Sequence, residues 1–355
     1  MARLVVAAVM VVAWACPVGR AEKPSGSASD TSVRLVVDPT WPRKPPKFEW
    51  GQMPGIAVDV RDRVHIFTRN EPAVQLYRPD GTFLRAWNID GFAGAHYIRI
   101  GPKGNVWTTS ITDHVVRKHS RRGKVLLTLG RVGRAGTDEK HFDRPTDVAV
   151  LPSGDIFVSD GYGNRRIIHF DRTGAYVNQW GAEGTEPGQF ALPHAIAADS
   201  QNRLYVADRD NARIQVFDTT GKLLEVWANL ITPWGLHVTG DDEIWVCGSS
   251  PVKKDGTDEW MVTPPPDQMV MKLNAKGKVL LRLPLPQATA SPGKPGRLEL
   301  LLELPVSTQQ VLELELVAKA AVADPAEKQS GQACQRHDHD GEDAMSRRAG
   351  GEEHA

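Results

Sequence analysis

Net charge is what this sequence most plainly lacks. Its 43 basic side chains are matched by 43 acidic ones, for a formal charge of zero at pH 7. No long-range electrostatic pull therefore favours nucleic acid or an anionic membrane surface. Cysteine is scarce as well, at three residues in 355. Cys16 lies at the edge of an N-terminal apolar stretch, and Cys247 and Cys334 alone do not make a disulfide framework, even in an oxidising compartment. Long apolar runs are missing too. The one candidate, Leu4 to Ala15, is too short for a transmembrane span. With Arg3 before it and Ala13-Trp14-Ala15 as a small-x-small cleavage site, residues 1–21 read as an export signal, and a periplasmic or secreted location is expected. Ala13 and Trp14 make a poor lipobox, so plain export is favoured over a lipid anchor at Cys16.

A second absence is local. Residues 287–355 contain no Phe, Trp, Tyr, Ile or Asn. Leu298 to Val317 is Leu/Glu-rich and reads as a helix; the rest of this tail reads as disordered. Two origins stay open for it, a native extension or out-of-frame translation after an insertion or deletion.

What is present is a repeat. Phe142 to Trp180 and Phe190 to Trp227 are two copies of one pattern, with Pro145 and Pro193 at equivalent positions. Three weaker copies flank them. Met53, Ala95, Pro145, Pro193 and Pro233 mark five units spaced by 42, 50, 48 and 40 residues, a period that signals propellers and arrays. In each unit apolar residues alternate at period two, as in Ile156-Phe157-Val158 and Leu204-Tyr205-Val206, between Gly-containing turns. Four short antiparallel strands per repeat is the blade of a β-propeller. The expected organisation is a signal peptide (1–21), a linker with a possible closing strand at Val33 to Val37 (22–49), an all-β propeller with five recognisable blades (50–286), and the aberrant tail (287–355).

The run Asp160 to Ile167 and its counterpart Asp208 to Ile214 resemble the NHL-repeat propellers. Pro145-Thr146-Asp147-Val148-Ala149-Val150, Val158-Ser159-Asp160-Gly161-Tyr162, Pro187-Gly188-Gln189-Phe190, Pro193-His194 and Val206-Ala207-Asp208-Arg209 look like one branch of them. That branch is the peptidyl-α-hydroxyglycine α-amidating lyases, and the likeness spans roughly residues 50 to 250. The resemblance implies a six-bladed propeller that cleaves a peptidyl-α-hydroxyglycine, an N-acyl hemiaminal, into a peptide amide and glyoxylate. It implies a small peptide or N-acylglycine-derived substrate, and a separate monooxygenase to hydroxylate it, since no such domain is in this chain. It implies Zn2+ as cofactor and Ca2+ as a further ion. The family's vertebrate members carry a cysteine pair where this chain has Asp143 and Gly163. The family's last-blade histidine and its calcium-associated aspartate have no recognisable counterpart here.

The histidines make an argument of their own. His96 and His194 hold the same position in units two and four, where unit three has Thr146 and unit five Trp234. In a six-bladed ring, alternate blades would converge imidazoles on the axis, and three protein ligands with an open fourth position make a catalytic zinc site. A lone histidine at a strand entry is equally a capped or solvent-facing residue. Tyr162 lies in a loop one residue longer than its counterpart, and a phenol, titrating near 10, acts as a base only with cations beside it. The resemblance implies Tyr162 as the base, with Arg69 and Arg209 tuning the phenol and the substrate. The recurring Asp160, Asn164, Arg166 and Asp208, Asn211, Arg213 sets read as structural. His337 to Asp340, near Cys334, resembles a metal tract but reads as solvated. Alternatives stay open beside the lyase: a non-enzymatic NHL propeller that binds a peptide, glycan or protein, or an inactive relative of the lyase.

Overall fold

The computed structural model describes residues 41–253, 257 and 268–284, together with the backbone of residues 33–38 and 297–302. Five four-stranded antiparallel sheets follow one another along the chain, each ordered as a meander. After β1 (Val33–Asp38), blade one holds β2 (Gly55–Val58), β3 (Val64–Phe67), β4 (Val74–Tyr77) and β5 (Phe83–Trp87). Blade two holds β6 (Ala95–Ile100), β7 (Val106–Ser110), β8 (Val115–His119) and β9 (Val125–Gly130). Blade three holds β10 (Asp147–Val150), β11 (Ile156–Asp160), β12 (Arg166–Phe170) and β13 (Tyr176–Trp180). Blade four holds β14 (Pro193–Ala198), β15 (Leu204–Asp208), β16 (Arg213–Phe217) and β17 (Leu223–Ala228). Blade five holds β18 (Thr232–Val238), β19 (Ile244–Ser249), β20 (Met269–Leu273) and β21 (Val279–Pro284).

The molecule is thus an all-β propeller with five recognisable blades. A sixth four-stranded sheet is not among the described residues. What is there instead is β22 (Arg297–Leu302), paired antiparallel with β1 from Val33↔Leu302 to Asp38↔Arg297. This corrects the helix expected from Leu298: over Arg297–Leu302 the Leu-rich segment is a strand. The run Leu298-Glu299-Leu300, part of the Leu/Glu-rich stretch expected to be helical, also fits period two once a partner strand is present. The remainder of the tail, with Cys334 and the His337 to Asp340 tract, and residues 1–32 lie outside the described residues.

Burial follows the pattern. In blades three and four, the second and third strands are buried at every position, whereas the outermost strand β13 alternates. Blades are welded by sandwiched side chains such as Phe157, Phe190, Ile196 and Phe217 between blades three and four. A repeated socket adds to this. Each turn before an outermost strand carries a positive-φ glycine: Gly81, Gly123, Gly174, Gly221 and Gly277. A Cβ there would come within 3.0 Å of a residue outside its own blade, namely Trp41, Trp87, Leu129, Trp180 and Trp227 respectively.

The recurrent aspartates are structural here. Asp160 accepts from Asp143 N at 2.8 Å, Asn164 Nδ2 at 2.7 Å and Arg166 Nε at 3.0 Å. Asp208 repeats this with Ala191 N, Asn211 Nδ2 and Arg213 Nε. Arg166 and Arg213 then tie down the loops entering their blades, through His141 O and Gln189 O.

Candidate active site

His96 is the second residue of β6 and His194 the second of β14, each at a register shift that takes it out of the regular ladder. Both are almost fully buried, at 2% and 0% exposed. Their rings meet edge-on with centroids 4.8 Å apart, although 98 residues separate them in sequence.

Each imidazole is fixed by the next blade. His96 Nδ1 lies 2.7 Å from Thr146 O, and His194 Nδ1 lies 2.6 Å from Trp234 O. A carbonyl only accepts, so both Nδ1 atoms carry the proton and both Nε2 atoms present a lone pair when neutral. Thr146 links the two halves, its Oγ1 lying 2.7 Å from Pro193 O. Side chain to carbonyl, the chain of bonds runs from blade two to blade five.

Both Nε2 atoms face one oxygen. The Tyr162 hydroxyl is 3.2 Å from His96 Nε2 and 3.2 Å from His194 Nε2. With neutral imidazoles the three atoms share a single proton, the phenolic one. Such a donor-poor convergence of two imidazole nitrogens and an oxygen is chemically suited to a cation. Among the described residues no group of three His, Cys, Asp or Glu side chains completes a metal cage. His96 and His194 are thus the two residues of this set whose ring nitrogens could hold a metal ion.

Tyr162 is held from beneath by a residue that sequence reasoning missed. Its amide lies 3.4 Å from Arg144 O, and Arg144 Nη2 donates back to Tyr162 O at 3.3 Å. Arg144 N in turn donates to His114 Nδ1 at 3.1 Å, with His114 and Arg144 both at positive φ. Two bonded non-glycine residues in the left-handed region, one in the β7–β8 turn and one in the β9–β10 connection, mark the place, and no local sequence pattern shows it. Gly163 N bonds Asp143 O at 3.0 Å, so the positions of the family's cysteine pair do lie against each other.

Arg209, on a single 3-10 turn after β15, is 3% exposed. Its guanidinium carbon lies 6.0 Å from the Tyr162 ring centre and 5.2 Å from that of Trp234, while Nε pairs with Asp210 at 2.7 Å. Blade three has Gly161 at the equivalent place because a Cβ there would overlap Pro193 O and Thr146. Arg69 reaches the same rim by donating from Nε to Ala95 O at 3.1 Å, next to His96, and by bonding Gln52. His96, His194, Tyr162 and Arg209 thus come together, and Arg69 braces the start of the His96 strand.

A sequence profile described as NHL repeat matches residues 142–170 and 190–217. NHL repeat-containing protein 3 of Homo sapiens is 37% identical over 213 residues, covering 56% of this chain and 61% of the relative. Peptidyl-glycine alpha-amidating monooxygenase of Mus musculus is 37% identical over 205 residues, 48% of this chain but only 21% of that protein. Peptidyl-alpha-hydroxyglycine alpha-amidating lyase 1 of Drosophila melanogaster is 39% identical over 144 residues, covering 37% and 26%. A solved streptogramin B lyase superposes with a TM-score of 0.50 over 76% of this chain and 80% of its own, at 17% identity, which speaks to the fold alone. The chain carries NHL repeats on a β-propeller and is similar, over part of its length, to the peptidyl-α-hydroxyglycine α-amidating lyases.

Proposed function

We propose that this chain is an exported, zinc-dependent lyase that cleaves an N-acyl hemiaminal of the peptidyl-α-hydroxyglycine type into an amide and glyoxylate. The observation that carries the reading is the convergence of His96 Nε2 and His194 Nε2 on the Tyr162 hydroxyl, with both Nδ1 protons committed to backbone carbonyls. His96 and His194 would hold the zinc, which would supply Lewis acidity toward the substrate hydroxyl. A separate monooxygenase would supply the hydroxylated substrate.

Tyr162 accepts the hydroxyl proton as its phenolate. The hydroxyl oxygen closes to the aldehyde of glyoxylate as the carbon–nitrogen bond breaks, and the departing amide nitrogen takes up a proton. Arg209 is placed to favour the phenolate, because a guanidinium about 6.0 Å from the ring stabilises the charged form. Arg69 and Arg209 would help to orient the glyoxylate carboxylate, each exchanging part of its present bonding, to Gln52 and to Asp210 respectively.

The similarity to NHL repeat-containing protein 3, a relative whose name asserts no chemistry, favours a second reading, a binding propeller for a peptide, glycan or protein. One measurement separates them. Purified protein should carry about one zinc per chain and release glyoxylate from a peptidyl-α-hydroxyglycine, with His96→Ala and His194→Ala losing the metal. Metal-free protein that releases none after zinc is added would exclude the lyase.

A further inference from the structure

One layer below the histidine pair, the ring axis holds a second polar cluster. Arg99 stands three residues after His96 on β6, and Asp147 follows Thr146 at the start of β10. Arg99 Nε and Nη2 donate to the two carboxylate oxygens of Asp147 at 3.1 and 2.6 Å. The same Nη2 lies 3.2 Å from Ile196 O and 2.8 Å from Leu236 O. Asp147 also accepts from Val148 N at 2.7 Å and from Ile196 N at 2.9 Å. The Tyr97 ring covers the guanidinium, 4.4 Å from its centre. Asp147 is fully buried, and the Arg99 side chain is 16% exposed.

One ion pair therefore ties β6, β10, β14 and β18 together across the axis. These are the strands that define the candidate site. β6 and β14 carry His96 and His194, the residue before Asp147 supplies the carbonyl for His96, and Trp234, two residues before Leu236, supplies the carbonyl for His194. Inner strands of neighbouring blades share no backbone ladder, so side chains must set their relative height. A slip of β14 against β10 would separate the two Nε2 atoms directly.

We infer that Arg99 and Asp147 are positioning residues, an axial ion pair that sets the register of four inner strands and so fixes where His96 and His194 converge. Its catalytic consequence rests on the lyase reading; its geometric content does not. Arg, not Lys, suits the place, because one planar fork reaches a carboxylate and two carbonyls at once.

Removing one partner leaves a buried charge without compensation, which can abolish folding. The decisive variant is therefore Arg99→Met/Asp147→Asn, which removes both charges with little change in volume. The readout is solvent exchange of the His96 and His194 Nδ1 protons by nitrogen–proton NMR on the full chain, with the Ile66 amide in blade one as a control for global opening. Exchange at both imidazoles should rise at least tenfold with Ile66 unchanged. Zinc affinity, measured by chelator competition, should fall at least tenfold. Arg99→Lys should restore part of both. Imidazole exchange and zinc affinity equal to wild type beside a lowered melting temperature would overturn the proposal, as would a parallel rise at Ile66. Wild-type protein that binds no zinc would end the lyase reading, while the imidazole exchange would still decide this one.

Discussion

At the scale of single residues, proton positions carry the chemistry. His96 and His194 have their Nδ1 protons assigned by carbonyls, so the two Nε2 lone pairs face the Tyr162 oxygen. Tyr162→Phe should leave zinc bound and reduce the rate of glyoxylate release by on the order of 10²–10⁴, the usual worth of a general base. Unchanged release would remove Tyr162 from the chemistry. Two other histidines dictate a pH response. His65 and His119 are both held down to about 4, first by burial, with Asp59 partly opposing this at His65 and the Gly123 backbone at His119. In the unfolded chain they titrate near 6.5, so unfolding takes up protons between the two values. Their neutral state then supports the fold fully above about pH 6.5 and loses that support as pH falls towards 4. The expected loss is about 3 kcal/mol per histidine by pH 4. His119→Gln, which can still bond Thr108, should flatten the fall of the denaturation midpoint between pH 6.5 and 4.5. An unaltered slope would assign the acid sensitivity elsewhere.

At the scale of elements, strand order and repeat phase were legible because they are written locally. Strands β11 and β15 begin at Ile156 and Leu204, where the period-two runs of the two strongest copies begin, and β10 to β17 follow those copies closely. The shared position of His96 and His194 was legible for the same reason. What was not legible are contacts between copies. Arg144 beneath Tyr162, Thr146 reaching Pro193 O and Arg99 spanning to Leu236 O join residues far apart in sequence, so no local pattern encodes them. Over Arg297–Leu302 the expected helix gives way to a strand by a related route, since a partner strand overrode a weak local preference. The copies differ where packing forces them to. Gly161→Ala should cost about 1–3 kcal/mol, because its methyl group overlaps Pro193 O and Thr146. It should also shift Tyr162, its immediate neighbour. Urea midpoints and Tyr162 ring NMR shifts measure the two effects, and wild-type values of both would contradict the geometry.

At the scale of the whole molecule, the question is how the blades are held in sequence around the ring. The described junctions repeat one device, a large side chain seated on a turn glycine outside its own blade. Trp87 on Gly123, Trp180 on Gly221 and Trp227 on Gly277 each come from the outermost strand of the preceding blade. Blade one has no preceding sheet among the described residues, yet its Gly81 socket is filled. Trp41 packs on it, donates from Nε1 to Pro79 O at 3.0 Å and is 6% exposed, while Arg43 N bonds Gly81 O at 2.9 Å. The segment that leads from β1 thus does for blade one what an outermost strand does for every later blade. If this contact is a true blade junction, Trp41→Ala should destabilise the ring by about 3–5 kcal/mol, as removal of a large buried aromatic does. Trp180→Ala, at an internal junction, should cost a similar amount. Urea unfolding followed by far-UV circular dichroism gives both values. A loss at Trp41 well below 1 kcal/mol beside a full loss at Trp180 would show that the leading segment merely lies on the ring.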